Sequence, residues 1–341
     1  MRPCNKIKII NSILPFNEYF YRDCFYNSLF SVINYLEGDI CDILANEIQI
    51  YNHIPSHVLT VGITTIESEP METILRRMNI LYNRSEKGTD QKEICDALDQ
   101  DKPVIIMVDC FEESIRAEYY KKKHFDHNLL VYGYHLEHKE FYIIEHSGKN
   151  RLDYKKRVIP IETVLKASDA YILQYQSNKQ DSSILYKFYH RQSWRSDRED
   201  AKVAFCKNYL MHEEIIRNQS KELDMLKCIL SDIIADRKKL STCIESIVKA
   251  ITVIINAKVM EKRKYELFLN HIELKRLMQS IINGWTIIRL NLMNYQYGGI
   301  MIDRKLDDVV SRLNEIVFEE KRLIQAVFCC CHQSLGNCIR P

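Results

Sequence analysis

Glycine and proline are scarce, with 9 and 7 in 341 residues. So few obligatory backbone breakers favour long helices over at least part of the chain. No excess of one charge is present either, since 48 Lys plus Arg face 46 Asp plus Glu for a net charge of +2. A chain that coats nucleic acid would be far more basic, so a polyanion could use only a local patch. Missing too are any run of about 18 uninterrupted apolar residues and, after Met1, an apolar stretch with a small-residue cleavage site. These absences place the chain, by expectation, in the cytoplasm with reduced thiols and without nucleic-acid or membrane partners. What is there is globular material, 46% apolar and 28% charged, which excludes a disordered tail protein. The 12 cysteines then read mostly as small buried hydrophobes.

The breakers are unevenly spread. Every proline but the terminal Pro341 lies at or before Pro160, and no glycine falls between Gly148 and Gly284. In the first half, Phe25, Leu29, Val32, Ile33 and Leu36 carry helical spacing. Helices are also expected over Asp39–Tyr51, Met71–Met78 and Gln91–Asp99. The run Val104–Val108 reads as a buried strand, Asn128–Leu136 with Glu140–Glu145 as a hairpin, and Ala170–Tyr175 as a further strand. In the second half, Ala201–Leu230, Ser231–Lys258, Lys262–Tyr295 and Asp303–Cys331 keep helical periodicity, with Gly298-Gly299 as a turn. The fold class is therefore α+β followed by helices. The expected division is an α+β catalytic domain over 1–176, a linker over 177–184, and a helical bundle or extended helical domain over 185–341.

Chemistry concentrates in Asp23-Cys24-Phe25-Tyr26-Asn27-Ser28-Leu29. A cysteine that opens a helix meets unpaired N–H groups and the positive end of the dipole, which favour a thiolate. Downstream, His127 heads an apolar strand, and Glu145 ends its hairpin partner, where a carboxylate can orient an imidazole. Cysteine, histidine and acid on helix, strand and strand is the layout of papain-like folds. Asp126, Asp153 and Asn150 are alternative partners for the histidine.

Three blocks resemble the N-terminal domain of the butirosin biosynthesis protein H family. They are the Cys24 segment, Lys102-Pro103-Val104-Ile105-Ile106-Met107-Val108-Asp109, and the stretch from Tyr119-Tyr120 through His127 to Val131-Tyr132-Gly133-Tyr134. The resemblance covers about half of the chain. It implies a papain-like domain with a helical C-terminal portion, in which Cys24 is the nucleophile and His127 the general base. Glu145 stands where the family more usually has Asp as orienting acid. The family's type member moves an acyl group from a carrier-protein thioester onto an aminoglycoside amine, and a relative makes amide bonds in polythioamide assembly. An amide-forming acyltransferase of thiotemplated antibiotic biosynthesis is thus implied, with an acyl or peptidyl carrier protein and a small amine as partners. It needs no cofactor of its own, because the acyl group rides on the carrier's phosphopantetheine arm. Papain-like peptidases place a Gln before the nucleophile as oxyanion donor. Here Asn17 and Glu18 stand nearby, and Asn17 could donate. A cysteine peptidase or amidase, or a catalytically silent partner-binding protein, remain the other readings.

Other features are weaker. His124, His127, His135, His138 and His146 crowd one stretch without a Cys-x-x-Cys, and Cys329-Cys330-Cys331 with His332 and Cys338 point different ways around a helix, so no metal is expected. Gly298-Gly299 lacks the Lys-Ser/Thr of a phosphate loop. The basic runs Lys121-Lys122-Lys123, Lys155-Lys156-Arg157, Arg237-Lys238-Lys239 and Lys262-Arg263-Lys264 are solvated faces by default. The first two flank His127 and are the candidates for docking an acidic carrier, Lys121, Lys122 and Lys123 foremost.

Overall fold

The computed structural model describes residues 6–54, 60–86, 90–146, 148, 152–175, 183–190, 200–298 and 303–338. In chain order the first elements are β1 (Ile7–Ile9), α1 (Cys24–Tyr35), α2 (Ile40–Asn46), β2 (Glu47–Ile54), β3 (Thr60–Glu67), α3 (Met71–Arg77) and β4 (Ile80–Ser85). Then come α4 (Gln91–Asp99), β5 (Val104–Asp109), β6 (Asp126–His135), β7 (Glu140–Glu145), β8 (Lys155–Pro160), α5 (Ile161–Tyr175) and β9 (Leu185–His190). The helices α6 (Ala201–Met211), α7 (Glu213–Ala235), α8 (Arg237–Phe268), α9 (Ile272–Gly298) and α10 (Asp303–Cys338) complete the α+β chain.

Two compact units form, one from Met1–Ile40 with Glu72–Arg198 and the other from Cys41–Met71 with Glu199–Pro341. The single seam expected at 177–184 is replaced by this interleaving. Residues 177–182 of that stretch lie outside the described residues. Ile184 is fully buried and donates its N–H to the Ser85 carbonyl, after which β9 joins the sheet.

The first unit is built on an antiparallel sheet in the order β4-β9-β5-β6-β7-β8, with β1 also on β6. Ten-residue β6 is the spine: β5 pairs along it from Asp126 to Val131, and β1 along it from Gly133 to His135. A Cβ at Gly133 would lie 2.5 Å from the Lys8 carbonyl oxygen. Only glycine lets β1 approach there, which gives the Gly133-Tyr134 pair its structural meaning. Leu29, Phe30, Val32 and Ile33 of α1 are fully buried, and α1 and α4 both pack near β6.

Two elements differ from the sequence reading. Ala170–Tyr175 closes α5 and is not a strand, because Val164, Ala167, Ser168 and Tyr171 recur at helical spacing and all are buried. Asp39–Tyr51 is helical only to Asn46. From Glu47 it pairs with β3, Glu47 opposite Glu67, in a hairpin that belongs to the second unit.

In that second unit the helices break at His212, Asp236 and Asn270, none of them a glycine or proline. Asp236 caps α8 by accepting from the N–H groups of Lys238 and Lys239, and Asn270 adopts a positive φ of 46°. Both are helix punctuation of the Asp/Asn kind. The stripe Leu223, Leu226, Leu230, Ile233 and Ile234 is buried. Polar side chains are buried as well: Lys258 Nζ lies 2.7 Å from Glu261 and 3.0 Å from Glu320, and Tyr51 donates to Glu320. Trp285 in turn donates to the Tyr51 oxygen at 3.2 Å.

Among the described residues one helix, α8, is long and apolar enough to cross a membrane by length and composition, with a mean hydropathy of 1.5 over 18 residues. Glu245 and Lys249 interrupt its apolar residues, so it carries no uninterrupted apolar run. Its Ile244, Ile247, Ile251 and Ile254 are buried within the helical unit.

Candidate active site

Asp23 caps α1, accepting from the N–H of Phe25 at 2.9 Å and of Tyr26 at 3.4 Å. Cys24 therefore opens the helix, and Ser28, one turn on, shares its face. Ser28 Oγ donates to Asn128 Oδ1 at 2.7 Å, while the Cys24 sulfur takes a hydrogen bond from the Asn128 main-chain N–H. One residue of β6 thus holds both members of the helix face, and that residue is the immediate neighbour of His127.

His127 and Glu145 stand on adjacent strands. β6 pairs Leu130 with Ile144, so residues 127, 129 and 145 share one sheet face, with 127 diagonal to 145. His127 Nε2 lies 2.8 Å from Glu145 Oε2, and both side chains are buried. The remaining nitrogen, His127 Nδ1, is buried with no hydrogen-bond partner.

A residue absent from the sequence reading organises this pair. Between β5 and β6 runs a 110–125 loop, closed at its base by Asp109, which accepts from the N–H groups of Phe111 and Phe125 and pairs with His124 Nδ1 at 2.5 Å. From this loop Arg116, only 1% exposed, enters the site. Its Nη1 lies 3.2 Å from Glu145 Oε1, 2.8 Å from His146 Nε2 and 3.3 Å from His127 Nε2. Its Nε donates to Glu118 at 3.0 Å.

These contacts fix the tautomer of His146 and, with Glu145 ionised, that of His127. A carbonyl only accepts, so His146 Nδ1 donates to the Gly148 oxygen at 2.8 Å and its Nε2 is left to accept from Arg116. Glu145 Oε1 takes the His146 N–H at 2.8 Å and the guanidinium, so Oε2 is free to take the Nε2 hydrogen of His127. His127 Nδ1 then carries a lone pair.

His127, Glu145 and His146 bring three donor atoms within 4.8 Å of one another, a grouping with the dimensions of a cation site. The cation among them is the Arg116 guanidinium.

Electrostatics do not favour a resting thiolate. Burial pushes the Cys24 thiol well above its ordinary range, and the charges of Asp23, Glu145 and Asp126 push the same way, against the Asn128 N–H. Burial first, and then these charges, override the helix-dipole argument. Burial lowers His127 to about 4, so both partners are neutral at pH 7. Glu145 is raised by burial to about 7, opposed by His146 and Arg116. Glu113, fully buried on the same loop, is raised to about 8 by burial and then by the charge of Glu145.

Asn17 is engaged with the main chain of Tyr154, donating to its oxygen and accepting from its nitrogen, each at 2.8 Å. It staples the segment before α1 to the segment before β8, and one amide N–H remains for other use. Glu18 is exposed. Lys121, Lys122 and Lys123 lie on the exposed end of the 110–125 loop, where Lys121 pairs with Glu112 and Lys122 donates to the Ala117 oxygen at 2.8 Å. Lys155, Lys156 and Arg157 are on β8. His135 and His138 stack on each other at the β6–β7 turn, and Cys329, Cys330 and Cys331 have unequal exposure on α10. Asn150, Gly299 and the side chain of Cys338 lie outside the described residues.

Glu113 and Arg116 carry no motif. The available signal was a long loop of charged residues between two strands, since structureless connections of that length are uncommon and often functional.

No curated protein matches the chain. Residues 49–146 match the family model described as butirosin biosynthesis protein H, N-terminal, a span that contains Arg116, His127 and Glu145 and begins after Cys24. Over that span the chain is similar to the butirosin biosynthesis protein H N-terminal family.

Proposed function

We propose that the protein is a cysteine acyltransferase of antibiotic biosynthesis that forms amides from carrier-bound thioesters, on a papain-like first unit. The observation that carries the reading is the 2.8 Å bond from His127 Nε2 to Glu145 Oε2, on a strand that Asn128 ties through Ser28 to the helix opened by Cys24. That bond leaves an imidazole lone pair to take a thiol proton. The family description adds the setting, antibiotic biosynthesis.

In the first half-reaction the Cys24 sulfur attacks the thioester carbonyl as His127 takes its proton. A new carbon–sulfur bond to Cys24 forms, the bond to the phosphopantetheine sulfur breaks, and the departing thiolate receives the proton from His127. In the second, an amine nitrogen attacks the acyl-Cys24 carbonyl. The amide bond forms, the bond to Cys24 breaks, and the amine's proton passes through His127 to the Cys24 sulfur. Thioester exchange is nearly thermoneutral, and amide formation drives the sequence forward. The neutral resting pair suits this scheme, since proton transfer coincides with attack. The Cys24 main-chain N–H, which Asp23 does not cap, is available to the oxyanion, with the spare N–H of Asn17 as the second donor.

The test is incubation with an acyl-loaded carrier protein followed by intact mass. A thioester adduct on the parent that is absent from folded Cys24→Ala supports the proposal. Peptide or amide turnover without carrier would redirect it to a hydrolase. No adduct and no turnover would leave a partner-binding protein.

A further inference from the structure

We infer that Arg116 is a positioning residue of this site, whose guanidinium holds Glu145 and His146 so that Glu145 takes the Nε2 hydrogen of His127 and leaves Nδ1 as the base. The inference rests on the acyltransferase reading only for the identity of the nucleophile.

The geometry has two ends. The outer fork of Arg116 is anchored on Glu118, with Nε and Nη2 both 3.0 Å from one carboxylate oxygen, and the guanidinium lies 5.4 Å from the Tyr119 ring centre. The inner Nη1 reaches Glu145 and His146. A planar fork can serve both ends at once, and an ammonium cannot. Arg116 is also the fixed cation among several acids. Facing the cluster are Cys110, Glu113 and Glu118 from the loop, Asp126 from β6, Glu145 and His146 from the end of β7, and Asp23 with Tyr154 beside Cys24.

The reason this matters is the proton on Glu145. If Glu145 were protonated, its O–H would donate to His127 Nε2 and the ring hydrogen would sit on Nδ1, which could then take nothing from the thiol. An adjacent cation limits the rise that burial imposes on the carboxyl, and a charge at this range moves a carboxyl by about 1 to 3 pH units. Burial alone would favour the protonated acid. Removing Arg116 thus converts a base into a hydrogen-bond donor without touching either catalytic side chain.

The experiment follows alkylation of Cys24 by iodoacetamide against pH, resolved by peptide mass, with exposed Cys228 as internal reference. It needs no acyl substrate, so failure of the acyltransferase reading and failure of this inference are separate results. In Arg116→Met, the acid limb of the Cys24 profile moves at least about 1 unit to higher pH, and the Cys228 profile stays where it was. Arg116→Lys keeps the charge and loses the fork, and its limb shifts less while its plateau rate falls several-fold. If Arg116→Met does not fold, Arg116→Lys decides. A Cys24 profile superimposable on the parent in either folded variant overturns the inference.

Discussion

The Ser28 hydroxyl donates to Asn128 Oδ1 across 2.7 Å, joining α1 to β6 over a sequence separation of 100 residues. Both groups are buried, so the bond sets where the helix face carrying Cys24 meets the strand carrying His127. Ser28→Ala leaves the Asn128 oxygen without its donor, at a cost of about 1 to 3 kcal/mol. Urea unfolding measures the loss, and Cys24 alkylation at pH 7 falls with it. A variant as stable and as reactive as the parent would remove Ser28 from the site's support.

Under the proposed acyltransferase function, Glu145 sets the acid limb of activity. His127 is neutral above about 4, whereas Glu145 loses its proton only near 7. Acyl transfer therefore rises through pH 7 and is already limited well above the histidine's own titration. In Glu145→Gln the limb near 7 disappears, because an amide does not titrate, and the plateau drops by about 10². A limb that stays near 7 in this variant would assign it to another group.

Much of this site was legible from the chain, and the reason is local. Cys24 follows an Asp cap, and His127 and Glu145 lie on strands joined by a four-residue turn, so spacing alone makes them neighbours. Arg116 and Glu113 escaped because a loop has no period from which to read direction, and only the fold turns them inward. Helix ends were misplaced for a related reason. The stops at Asp236 and Asn270 use capping and positive φ, signals easily overlooked in a search for Gly and Pro. Strand β9 was missed because its partners β4 and β5 lie far back in the chain.

Glu113 makes the protein less stable as pH rises. Its folded proton is held to about 8, whereas an unfolded glutamate releases its own near 4.3. Between these values the unfolded chain has given up a proton that the folded one keeps, so stability falls with pH, by at most about 1.4 kcal/mol per unit. Glu113→Gln removes this dependence. Urea midpoints at pH 5, 6.5 and 8 decide it, and an unchanged slope would count against the assignment.

In the helical unit, Lys258 is the buried counter-charge of Glu261 and Glu320. Lys258→Met strands two acids and costs about 3 to 5 kcal/mol, since an unpaired buried charge is worse than none. Adding Glu320→Gln to it recovers part of the loss. Equal stability of the parent and the single variant would show that the pair contributes nothing.

Charge reversal at Lys121, Lys122 and Lys123 slows reaction with an acidic carrier while a free thioester of the same acyl group reacts almost normally. Rim charges act on encounter and are screened by salt, so added salt reproduces the defect in the parent. Equal slowing of both substrates would mean the loop, and Arg116 with it, had been disturbed.

Strand β9 has a consequence for how the molecule is made. It is hydrogen-bonded on one side to β4 and on the other to β5, so the sheet stays split until residue 190 has left the ribosome. The nascent chain must hold β4 through about a hundred further residues before β9, its neighbour in the sheet path, arrives. Residues 41–71, already synthesised, meanwhile await helices that begin at Ala201. Neither unit can be obtained by a single cut, and expressing residues 1–176 alone would leave β4 an unpaired edge in a protein prone to associate through it.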